Sequence, residues 1–84
     1  MLVEHPKIPL AYEKAAECYR IQAEHLEEYI LRSENEFAAV LTDAERDFVE
    51  TCRQAIPPTL ACSRHYMRLA ALSQQMIDEG EASL

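Results

Sequence analysis

The sequence predicts an all-α fold: a small antiparallel bundle of three to four helices, with a long first helix and a break at Pro57-Pro58 before the last. Three observations predict it. The 84-residue chain holds a single glycine, Gly80, so tight β-hairpin turns lack their usual residue. Ala, Glu, Leu, Arg, Gln and Met, all good helix formers, fill the chain instead. Apolar residues recur at steps of three and four over long stretches, the period of one helical face. With 49% apolar residues the chain also has enough material for a core.

Residues 1–9 carry Pro6 and Pro9, and each proline disfavours helix in the residue before it. This stretch is expected to be an extended arm, followed by one bundle domain over residues 10–79 and a short tail over residues 80–84. The first helix is expected from about Leu10 to Leu31 or Arg32. Pro9 suits its first turn, where a missing N–H costs nothing. Tyr12, Ala15, Ala16, Tyr19, Ala23, Leu26 and Ile30 form its inner stripe, close to a heptad repeat. Glu13, Glu17, Glu24, Glu27 and Glu28 lie largely away from that stripe.

Ser33-Glu34-Asn35-Glu36 precedes an apolar run, which is the pattern of a capping box. It predicts a short second helix. Thr42-Asp43-Ala44-Glu45 has the same pattern and predicts a third helix reaching about Ala55, with Ala44, Phe48, Cys52, Ala55 and Ile56 inward. Pro57-Pro58 removes two N–H donors and pushes Ile56 from helical geometry. A fourth helix is expected from there to about Asp78, ending at Gly80, with one long helix kinked at the prolines as the alternative. Its apolar residues form two adjacent stripes, Leu60, Met67, Ala70, Ala71 and Ile77 beside Cys62, Leu69, Leu72 and Met76. That face is wider than one partner helix needs, so a homodimer is expected.

The net charge of −7 is unevenly placed. Residues 13–50 hold eleven acids and four bases, which accounts for all of it; residues 51–84 are balanced at three and three. Phosphate backbones and anionic membrane surfaces are repelled by such a region, so neither direct nucleic-acid binding nor membrane binding is expected. No apolar run is long enough to span a bilayer, and the first residues lack the pattern of a secretory signal. The three cysteines, Cys18, Cys52 and Cys62, fall within helical patterns. Free thiols in a reducing cytoplasm are the expected state.

Catalytic chemistry finds no motif. Without glycine loops there is little to build an oxyanion hole or a phosphate cradle, so neither an enzyme nor a cofactor is expected. Cys18, His25, Cys62 and His65 are the residue types that ligate zinc, and each Cys shares a helix face with a His. The tight Cys pair of a structural zinc site is missing, so they remain weak metal candidates. The expected function is a non-catalytic protein-binding module (an adaptor, small chaperone, immunity protein or inhibitor) that binds another protein through an acidic helical surface. Tyr12, Glu13, Glu17, Tyr19, Glu24 and Glu28 on the first helix and Arg64 and Arg68 on the last are its candidate contact residues. Mimicry of nucleic acid toward a basic groove is the alternative, and a Cys/His metal-binding bundle is a further one.

Overall fold

The computed structural model describes residues 5–82. They form two helices, α1 (Ile8–Glu36) and α2 (Asp43–Ala82), joined by a short loop and packed side by side as an antiparallel hairpin. No strand occurs among the described residues. The all-helical expectation holds, but there are two long helices rather than three or four. No helix is long and apolar enough to cross a membrane among these residues.

Both helices present a seven-residue repeat to each other. On α1 the seam runs through Pro9, Tyr12, Ala16, Tyr19, Ala23, Leu26, Ile30 and Ser33, all buried or half-buried. On α2 it runs through Val49, Cys52, Ile56, Thr59, Ser63, Tyr66, Ala70, Ser73 and Ile77, again all buried or half-buried. Alternating steps of three and four are the a and d positions of a coiled coil. The Ser63 hydroxyl donates to the Ala16 carbonyl at 2.7 Å and pins the register. The largest apolar cluster lies toward the loop: Ile30, Val49 and Cys52, with Leu26 and Ile56 against them. Further from the loop, small residues and tyrosines fill the seam. Tyr66 sits between Tyr12 and Tyr19, its ring centroid 6.1 Å from the first and stacked 5.6 Å from the second.

Four local expectations are corrected. Helix α1 begins at Ile8, inside the stretch expected to be an extended arm, because Pro9 is accommodated in its first turn; residues 1–4 lie outside the described part. Ser33 does not cap a short second helix. It lies within α1, 5% exposed, because it falls on the next seam position after Ile30. Residues 37–40 form a turn instead, closed by Val40 N–H donating to the Phe37 carbonyl at 2.9 Å. Pro57 and Pro58 do not break the second rod: α2 continues through both. Both are exposed and lie opposite the seam, so the carbonyls that lose their helical partners, those of the exposed residues Arg53 and Gln54, belong to the hydrated side. Gly80 does not end α2, which reaches Ala82.

The capping box at Thr42 is present as its spacing predicts. The Glu45 N–H donates to the Thr42 hydroxyl oxygen at 3.1 Å, and the Thr42 N–H donates to Glu45 Oε1 at 3.2 Å. Asp43 and Glu45 also favour the positive end of the helix dipole. The loop turns without glycine and without a positive φ angle. Arg46 donates back to the Ala38 carbonyl and ties the loop to α2.

The inner face of α2 is rotated from the expected one. Val49 is buried at 5%, whereas Phe48 is 56% exposed and Ala44 is exposed. Further along, Ala70 and Ile77 are buried, but Met67, Leu72 and Met76 are half exposed. A two-helix layer has only one seam, so the wide apolar surface of α2 cannot be covered within one hairpin.

Candidate protein-binding surface

The hairpin is a slab of 65 × 16 × 12 Å with two broad faces. In an antiparallel coiled coil, the residues flanking the seam meet in like pairs: e positions of both helices on one face, g positions on the other. The contacts identify the faces. Arg53 of α2 pairs with Glu34 of α1 on one face. Phe48 of α2 packs edge-to-face on Tyr29 of α1, centroids 5.7 Å apart, on the other.

The first face is acidic. Its α1 side carries Glu13, Glu17, Glu24, Glu27 and Glu34, with Arg20 among them. Arg20 bridges Glu17 at 3.4 Å and Glu24 one turn on. Arg53 bridges Glu34 and, at 3.2 Å, Glu50. Every one of these side chains is about half exposed or more except Glu34, at 44%. Exposed pairs of this kind contribute little to folding, about 0–1 kcal/mol each. A shallow groove of about 240 Å³ crosses this face between Glu13, Glu17, Arg20 and Met67. Another of about 260 Å³ lies nearer the loop between Glu27, Leu31, Arg53 and Ile56.

The second face carries fewer charges, with Arg32, Glu36 and Glu79 toward its ends. Phe48, Ala55, Cys62, Leu69 and Met76 follow one another down α2 at seven-residue steps. Ile8, Ala15, Gln22 and Tyr29 do the same on α1.

The sequence-derived contact residues separate into three groups. Glu13, Glu17, Glu24 and Arg64 are exposed on the acidic side of the slab. Glu28 and Arg68 are exposed on its outer edges, away from the seam. Tyr12 and Tyr19 belong to the seam itself, half-buried against Tyr66, so their rings hold the two helices together. Sequence reasoning left Glu34 and Arg53 out of the surface. Their pairing across the helices depends on the register, which no local pattern contains.

The candidate metal ligands are not brought together. Cys18 and His25 are exposed along α1, Cys62 is half-buried on the flank of α2, and His65 packs its ring 5.6 Å from Tyr66. Among the described residues no group of three or more His, Cys, Asp or Glu side chains gathers as a metal site would require. Comparison of the chain with protein-family models, curated proteins and solved structures finds no match.

Proposed function

We propose that this hairpin is a non-catalytic protein-binding module whose acidic face docks on a basic surface of a larger protein. One observation carries this: five of the seven carboxylates of α1, Glu13, Glu17, Glu24, Glu27 and Glu34, lie on one broad face, exposed, and in excess over the arginines between them. Such a face draws a basic partner from a distance and fixes its orientation. It is also free to do so, because the fold does not depend on these charges. The 65 Å length of the slab favours an extended basic groove as the surface engaged. A groove that ordinarily holds a nucleic-acid backbone is the more specific form of that partner.

The test is affinity capture with the wild-type chain and with a Glu13→Lys, Glu17→Lys, Glu24→Lys variant. The wild type is expected to retain a basic protein that salt releases. The variant is expected to retain at least roughly tenfold less, since like charges then face the partner. Equal capture by both proteins, or retention indifferent to salt, overturns the proposal. Competition by double-stranded DNA for the captured protein distinguishes the groove form from a simple basic patch.

A further inference from the structure

We propose that the weakly charged face, formed by the Tyr29 flank of α1 and the Phe48-to-Met76 flank of α2, docks a second copy of this chain to make a two-fold symmetric four-helix bundle. This concerns the face opposite the one assigned to the partner, so either interface can fail without the other.

Five observations lead there: surface area, shape, burial, apolar patterning and charge. The hairpin leaves too much surface uncovered. A compact chain of 9.6 kDa exposes about 5,100 Å², whereas this one exposes 6405 Å². The excess is greater than the roughly 800 Å² per partner that a standard stable interface removes. The shape agrees: the radius of gyration is 19.0 Å, against about 12 Å for a compact chain of this length. Among the described residues no large side chain is completely buried in the single hairpin.

Part of the exposed apolar surface, at Leu10, Leu31 and Met67, lies among the carboxylates of the acidic face; much of the rest is ordered in rows on the other face. On α2 the flank keeps the same seven-residue phase as the seam beside it over the whole span from Phe48 to Met76. Phe48, Met76 and the adjacent Leu72 are 50% or more exposed, and Tyr29 is 41% exposed. A second apolar row alongside the first is what a helix carries when it has two neighbours. Between the large residues at either end lie Ala15, Ala55 and Cys62, small enough to let another pair of helices approach closely.

Charge selects the occupant. A two-fold contact sets a surface against itself. The acidic face carries more acids than arginines, so a net repulsion opposes setting it against its own copy, and a chain of net charge −7 is repelled by itself generally. The weakly charged face is the broad surface better able to meet itself, since its few charges, Arg32, Glu36 and Glu79, are of both signs and most acids of α1 lie on the other side.

Met67 and Met76 give a test on the unaltered protein. Both are 52% exposed in the single hairpin, Met67 beside Glu13 and Glu17 on the acidic face and Met76 on the weakly charged one. In mild peroxide at tens of micromolar protein, Met76 is expected to form sulfoxide roughly fivefold or more slowly than Met67, as its exposure falls. Equal rates for the two overturn the proposal. Sedimentation equilibrium is expected to give twice 9.6 kDa. Leu72→Lys is expected to return the mass to that of one chain, while Leu31→Lys, a similarly exposed leucine on the acidic side, leaves it doubled. A single-chain mass for the wild type, or a dimer lost with Leu31→Lys and kept with Leu72→Lys, overturns it.

Discussion

Ser63 and Tyr66 illustrate how few side chains align the two helices. The Ser63 hydroxyl reaches the backbone of α1 at Ala16, and Tyr66 stacks in the space between two tyrosines one heptad apart. Removing the hydroxyl with Ser63→Ala leaves the Ala16 carbonyl within a helix, so the loss is that of one net hydrogen bond, about 1 kcal/mol. Tyr66→Ala removes a ring with one stacked and one tilted aromatic neighbour and is expected to destabilise by about 3 kcal/mol or more, whereas Tyr66→Phe retains these ring contacts. Urea unfolding followed by helical circular dichroism measures all three. If Tyr66→Phe is as damaging as Tyr66→Ala, the hydroxyl and not the ring is what matters there. At the same scale, Thr42→Ala removes one half of the reciprocal cap at the start of α2 and is expected to lower stability by about 1 kcal/mol.

At the scale of the helix, α2 passes through two prolines that local rules would use to end it. A proline inside a helix is about 3 kcal/mol less favourable than alanine. Neither proline touches the seam, so Pro57→Ala and Pro58→Ala are expected to stabilise the hairpin by about 1–3 kcal/mol each, read as an increased urea midpoint. Destabilisation by either change would mean that the ring itself is packed or that the helix needs its local geometry. This also explains why the two helices were unequally legible. On α1 the seam positions are almost all apolar or aromatic, so the pattern of Tyr12 through Ile30 showed the buried stripe directly. On α2 the seam uses Thr59, Ser63 and Ser73, while the larger apolar residues stand beside it at Cys62, Leu69 and Met76. Hydrophobicity alone therefore centres the helix on the wrong row. Ser33 misled for the same reason: a serine that caps one helix and a serine that fills a close contact inside another look alike in sequence. The acids of the candidate surface were visible in the sequence, but their gathering on one face with Arg53 depends on which helix lies alongside.

At the scale of the molecule, a hairpin this thin is expected to gain much of its stability from association. Its thermal midpoint should therefore rise with protein concentration, as it must when the folded state is the one that binds its own copy. A midpoint that is constant over a hundredfold dilution would mean that one seam is sufficient. Most carboxylates of α1 lie on one side of the slab and the proposed self-contact on the other, and this has a further effect on stoichiometry. Two slabs joined back to back expose their carboxylates in opposite directions, so no single flat target can reach both sets. If both proposed contacts form, the pair would be a bivalent coupler able to hold one target molecule on each side, and targets that are themselves linked would be held more tightly than either contact alone allows.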